Sequence, residues 1–446
     1  MQDRKYVVRT AAVVATALAL VVAVAGPGWA AGTTSRASVN SAGVQGNGGS
    51  GATYTAGSGR FVVYESVASN LVKGDTNGVS DIFLRDRQYK KTYRISAGPL
   101  NSATRRPVQA NGPSHSARGV TPDGKFVVFE SFATNLVNND FNGTWDVFIR
   151  DRPAKGTYRM SVSSNEVAGN GPSADPVITS GGRLVAFESS ASNLVPNDSN
   201  GAVTDVFLRD RENGITSLVS QSTAGVHGNG SSSDPFITGD GRFVVFESRA
   251  SNLVPNDTNG ETDIFVRDRQ NATTSRVSVN TGEVQGNAGS YSARITPDGR
   301  YVTFESFSSN LTGGVDDNHA ADVFVRDRQI GFTARVSVSS SEAQGNGFSS
   351  DPTISADGRY VAFESAATGF APNDGNAHVD VFIRDRVNGS TYAASVSPGG
   401  AIGNAGSENP WFSDDGRYLA FASDSSNLAP NDTGGHKDVF VRGPLF

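Results

Sequence analysis

The chain has 446 residues and no cysteine. That excludes disulfides, thiolate metal centres, cysteine nucleophiles and a lipid anchor on cysteine, so stability has to come from the core and from any bound ions. Charged residues make up only 18% of the chain and hydrophobic ones 37%. No stretch of useful length carries helical periodicity after residue 30, which points away from a helical fold. The sequence also lacks a G-x-S-x-G elbow, a Walker loop and a Rossmann glycine pattern.

Long apolar runs are scarce as well. The one present covers residues 11–25, too short for a comfortable membrane span. Arg4, Lys5 and Arg9 precede it, and Gly28-Trp29-Ala30 follows with small residues at the cleavage positions. Residues 1–30 therefore read as a signal peptide, and residues 31–446 as one exported domain. No second apolar run exists, so the mature chain is expected to have no membrane span and to be a monomer. The net charge is −6. Removing residues 1–30 takes away a net two positive charges and leaves −8, which argues against nucleic acid as a partner.

What is abundant is glycine, 51 residues, and repetition. One sentence, typified by DGRFVVFESRASNLVPNDTNGETDIFVRDR at 240–269, recurs seven times. The basic residues of its tight turn are Arg60, Lys125, Arg183, Arg242, Arg300, Arg359 and Arg417, spaced by 65, 58, 59, 58, 59 and 58 residues. Such a period signals a repeat architecture. In the fourth unit strand A is expected at 234–238, strand B at 242–248, strand C at 263–269 and strand D at 273–280. Strand B is apolar nearly throughout, as for a strand covered on both faces, whereas C and D alternate. Residues 282–289 form a Gly/Asn-rich link to the next unit. Extra residues near 98–107 lengthen the second unit.

Four antiparallel strands repeated seven times imply an all-β, seven-bladed β-propeller. The ends support closure. Residues 33–40, TTSRASVN, nearly repeat strand D of the fourth unit, TTSRVSVN, and the last unit stops at strand C. The N-terminal strand 33–40 is therefore expected to complete the last blade and remove an exposed edge. In such a meander the long B–C loops and D–A links share one face. That face is the expected binding face, because function concentrates on elaborated loops.

The strings SADGRYVAFES at 355–365 and DVFIRD at 380–385 resemble the TolB-type β-propeller repeat, and the resemblance extends over the whole mature chain. It implies a propeller whose innermost strands line a central channel used to bind partners. That family has six blades where this chain has seven units, so its role in the Tol system is not carried over.

Four residue sets carry candidate chemistry. The B–C loops read D-x-N-G-x-x-D, with Asp75/Asn77/Asp81, Asp140/Asn142/Asp146, Asp257/Asn259/Asp263 and Asp374/Asn376/Asp380 as candidate Ca²⁺ ligands. The loops resemble the second half of the calcium loops of integrin-type propellers, without their first aspartate. Asx-turns account for the same residues without an ion. Glu65, Glu130, Glu188, Glu247, Glu305 and Glu364 end strand B, while Arg85 and its counterparts lie on strand C. Repeated in nearly every unit, they read as scaffold, either ion pairs or backbone contacts. All five histidines fall in B–C or D–A segments, and a transition-metal site is the sharper reading of them. At the start of strand A, Ala52, Ser116, Asp175, Asp234, Ser292, Asp351 and Asn409 should ring the channel mouth, suiting a cationic or sugar-like ligand or a hydrated channel.

The function expected from the sequence is a secreted binding module, calcium-stabilised, with a protein or glycan ligand on the B–C/D–A face or in the channel. The alternatives are an extracellular hydrolase or lyase acting on polysaccharide, and a multivalent lectin with sites between blades.

Overall fold

The computed structural model describes residues 32–445 except 104, 105, 197, 199, 315 and 373. The expected signal peptide, residues 1–30, lies outside the described residues. Seven four-stranded antiparallel sheets form the blades, and a two-stranded hairpin, Ala97–Leu100 with Pro107–Gln109, occupies the lengthened link of the second unit. Blade four shows the plan: strand A Ser232–Ile237, B Phe243–Ser248, C Asp263–Asp268 and D Thr273–Arg276. In blade seven the outer strand is Thr33–Arg36, paired with Asp438–Gly443 through Thr34↔Arg442 and Arg36↔Phe440. The ring is closed by the N-terminal strand as expected.

Strand D is shorter than its string suggested. It ends at Arg276 rather than residue 280, and Val279 then bridges back to Gln285. The reason is the serine within the string. Ser278 Oγ donates to Asp263 at 2.5 Å and accepts from Ile264 N at 3.1 Å, so its hydroxyl takes the place of the next ladder bond and strand D ends there. The same bond recurs from Ser96, Ser161, Ser220, Ser337, Ser395 and Ser38 to the buried aspartate that opens each strand C.

The core repeats too. Strand B places an aromatic ring opposite a phenylalanine of strand C in every blade, as in Phe246↔Phe265, whose centroids are 5.9 Å apart. Both rings are fully buried. Burying each side chain contributes about 1.5–3 kcal/mol, and the offset pair adds roughly 1 kcal/mol. The A–B turns pack on the preceding blade. Gly299, at φ 73°, rests on the ring of Phe243, where a Cβ would collide.

Neighbouring blades are tied by one repeated grip. The strand-C arginine and the strand-D threonine of one blade both donate to carbonyls beyond strand D of the blade before. In blade four, Arg267 Nη1 reaches Ser222 O at 3.1 Å and Thr274 Oγ1 reaches Gln221 O at 2.5 Å. In blade seven the threonine comes from the N-terminal strand: Thr34 Oγ1 donates to Val396 O at 2.5 Å and accepts from Arg442, which is 1% exposed. Replacing Thr34 by Val therefore leaves a buried guanidinium short of a partner and should cost about 1–3 kcal/mol. Urea unfolding should show a similar loss for Thr274→Val, since the two grips are equivalent. A silent Thr34→Val beside a destabilising Thr274→Val would mean that the ring is not closed this way in solution.

Candidate functional site: the central channel

The channel wall is strand A, and every strand A carries the same irregularity. Its register against strand B shifts after the second residue. The third residue, Ala52, Ser116, Asp175, Asp234, Ser292, Asp351 or Asn409, lies in the left-handed region with φ between 44° and 55°. A β-bulge of this kind re-aims one peptide. The freed N–H points at the preceding blade, where the glutamate near the end of strand B accepts it. Asp175 N donates to Glu130 and Asp234 N to Glu188, both at 3.0 Å. Ser292 N donates to Glu247 at 2.7 Å, Asp351 N to Glu305 at 2.9 Å and Asn409 N to Glu364 at 2.5 Å. The mouth residues and the strand-B glutamates read from the sequence thus meet. Five of the glutamates act as backbone contacts between blades, and among the described residues none pairs with a strand-C arginine. Glu65 departs from the pattern and bonds His115 Nδ1 at 3.0 Å. Burial pushes Glu188 and Glu305 up to about 7, and it raises Glu247 and Glu364 as well.

Two residues further along strand A the symmetry breaks. Units with Asp-Pro or Asn-Pro carry Val177, Phe236, Thr353 or Trp411 next, whereas the two with Ser-Ala carry Arg118 and Arg294. Arg118 reaches across the channel to Asp234 and also lies 3.4 Å from Asp175. Arg294 Nη1 meets the other oxygen of Asp234 at 3.1 Å. Burial alone would raise Asp234, but Arg294 and Arg118 hold it below the usual carboxylate range. Burial likewise opposes the charge on Arg118, and Asp234 and Asp175 more than offset it. This two-arginine bolt bars the channel at its neck, leaving a space of about 110 Å³ on the mouth side. Sequence reasoning placed Asp234 and Asp175 but missed both arginines. The signal was present in the exchange of Asp-Pro for Ser-Ala.

On the other side of the bolt the channel widens into a funnel of about 630 Å³, opening among the A–B turns. The roomier part of the channel is therefore at the end opposite the elaborated loops, walled by inner-strand side chains and by residues of the A–B turns. Trp411 lies 4.6 Å from Tyr54 and 5.7 Å from Phe236, centroid to centroid, and the Arg294 guanidinium sits 5.2 Å over the Trp411 ring. Asp240, Asp414 and Asp415 contribute to the rim together with Ser180 and Ser413. Asp414 accepts from Gly57 N at 2.7 Å, and burial pushes its carboxyl up to about 6.

The D-x-N-G-x-x-D loops fold as drawn from the sequence, but the chain brings its own cation to most of them. Arg159, the last residue of strand D in blade two, lies 2.8 Å from Asp140 and 3.5 Å from Asp146. Arg276 lies 3.1 Å from Asp257 and 3.0 Å from Asp263, and Arg94 lies 3.6 Å from Asp75. Asn77, Asn142, Asn259 and Asn376 each donate to the second aspartate of their loop, at 2.9, 2.8, 3.1 and 2.8 Å. Blades three and six differ: Leu218 and Ala393 stand at the arginine position, and in blade six burial together with Asp380 raises Asp374 to about 6. Among the described residues no three His, Asp or Glu side chains converge as a metal centre. His115 instead packs 5.1 Å from Trp145.

No family model matches the sequence, and no curated protein matches it. Solved structures do. An oligogalacturonate lyase in complex with manganese is 10% identical, covers 93% of this chain and 94% of its own, and superposes with a TM-score of 0.53. The oligogalacturonate lyase of Vibrio parahaemolyticus is 12% identical over 89% of this chain and 91% of its own, TM-score 0.50. TolB from Acinetobacter baumannii is a more distant likeness, 17% identical over 90% and 82%, TM-score 0.40. At such identities the likeness shows the propeller fold alone.

The glutamate ring makes stability depend on pH. An acid whose folded value is raised contributes stability that is complete below its unfolded value, near 4.5 for Glu188, and lost as pH rises through about 7. Glu188→Gln keeps an acceptor for Asp234 N and removes the titration. It should be more stable than the parent at pH 8 by about 1–2 kcal/mol and nearly equal at pH 4.5, read from melting curves. The same difference at both pH values would show that Glu188 does not titrate in this window.

Proposed function

We propose that this chain is an exported binding module that takes a neutral saccharide in the funnel at the A–B end of its channel. The observation that carries the reading is the Tyr54–Trp411–Phe236 wall above an already paired Arg294–Asp234 floor. Flat aromatic faces supply apolar area, and the few convergent polar groups supply orientation. A cationic ligand is disfavoured, because the face of Trp411 already carries Arg294. An anionic one is disfavoured by the rim carboxylates Asp240, Asp414 and Asp415. Hydroxyl groups suit both, donating to the carboxylates and packing their ring on the indole. The signal-like segment at 1–30 supports a location outside the cell, where such ligands are met.

Trp145 lies on the opposite face from Trp411, beside His115 and Phe132. In a Trp145→Phe background, fluorescence of the mature chain therefore reports on the funnel. Titration with a panel of neutral oligosaccharides should perturb Trp411 saturably, and Trp411→Ala should bind about tenfold more weakly or worse. Binding that ignores Trp411 and needs Trp145 would move the ligand to the loop face. Turnover of the sugar, abolished by Asp414→Asn, would favour the enzyme reading, since Asp414 is the funnel carboxyl with a raised value.

Calcium keeps a place in this reading at blade six. There Asp374, Asn376 and Asp380 retain the loop that five other blades neutralise with arginine. Millimolar Ca²⁺ should raise the melting temperature of the parent protein and not that of Asp374→Asn. No rise, or an equal one, removes the ion from the reading.

A further inference from the structure

A second cavity, about 570 Å³, lies between blades one and two against the inserted hairpin. Its charged lining is Arg94, Lys125, Arg150, Arg152 and Lys155 against Asp123 alone. That is a strong excess of positive charge on a chain whose net charge is −6. No acidic residue stands between Asp86 and Asp123, the stretch that supplies Arg94 and Pro107 to the lining.

The repeat provides an internal control. The corresponding groove between blades four and five, about 590 Å³, has its arginines answered by Asp268, Glu283 and Asp298 in the lining. Arg326 there is held by Glu283 from the preceding D–A link, as Arg209 is by Glu166 and Arg384 by Glu342. In the groove between blades one and two the hairpin has replaced that link. Arg150, 4% exposed, donates to Ala97 O at 2.7 Å and Thr157 Oγ1 at 2.8 Å, with no ion pair among the described residues.

The tight turn differs in the same direction. Arg60, Arg183, Arg242, Arg300 and Arg359 each pair with the aspartate ending their own strand C. Their counterpart Lys125 forms no ion pair among the described residues and lies exposed, 4.7 Å over the ring of Phe126. Arg152 donates to Gly124 O and stacks 4.7 Å over Tyr93, as Arg328 does on Gly299 O and Phe243 in the sibling groove, with no ion pair among the described residues. Arg94 is engaged by Asp75, which leaves Lys125, Arg150, Arg152 and Lys155 as the lining cations without an ion pair among the described residues, faced by Asp123.

We propose that this groove is an oxyanion site that takes a phosphate or sulfate group of a ligand. The buried Arg150 and half-buried Arg152 guanidinium groups present fixed donors, and two lysines on exposed turns close over the anion as mobile charges. Burial draws Arg150 down to about 10, which is the cost that a bound anion would relieve.

Inorganic phosphate and inorganic sulfate, titrated calorimetrically into the mature chain at constant ionic strength with chloride as balance, test the site. Saturable binding of at least one is expected, and phosphate against sulfate tells which group the site prefers. The double variant Lys125→Gln/Lys155→Gln, on exposed turns, should bind at least about tenfold more weakly. Arg300→Gln in the sibling groove should leave the affinity unchanged. Absence of saturable binding by both anions overturns the proposal, as does binding that survives the double variant undiminished.

Discussion

Each blade holds the one before it by placing an arginine and a threonine on carbonyls just past that blade's outer strand. The donors are buried and the acceptors are backbone, so the grip tolerates almost no change at either end. Everything else follows from its repetition. It sets the position of the link that leads inward to the next strand A. It makes the last blade dependent on a threonine supplied from the start of the chain, Thr34. The buried aspartate that opens each strand C, latched by a serine, fixes where strand D lets go so that the grip can form.

With the outer wall so constrained, variation is concentrated on the inner strand. The bulge in strand A sends one N–H to a neighbouring glutamate and the next side chains toward the axis. The backbone cost is met in the same way at five of the seven bulges, so the axial side chains are free to differ. Arg118, Arg294 and Asp234 come from blades two, five and four and meet only at the axis. They divide the channel into a polar mouth and an aromatic funnel, two compartments with different chemistry on one scaffold. The outer grooves show the same logic. Where a glutamate in the link answers the strand-C arginine the groove is neutralised, and where a hairpin has replaced the link the charge is left open.

The calcium expectation illustrates how a local pattern is reinterpreted by its surroundings. The loop spacing is a fair ligand set by itself. What decides its state in blades one, two and four is residue 94, 159 or 276, 13 to 19 positions beyond the loop aspartates, at the end of strand D. Those arginines were visible in the sequence as the last residue of the strand-D string. Their direction was not, because a strand edge can turn its side chains to either face until its register is known.

The sequence by itself determined the fold: a period near 58 residues, strand B buried on both faces, and an N-terminal string that repeats strand D leave one closed arrangement. These are signals of local pattern, and local pattern carries period, burial and strand order. Only the tertiary structure decided where the cavities lie. The bolt, the funnel and the open basic groove are each made by residues from different blades, tens to hundreds of positions apart. Their meeting depends on the ring geometry and on which charges cancel there, and neither is written in any single repeat.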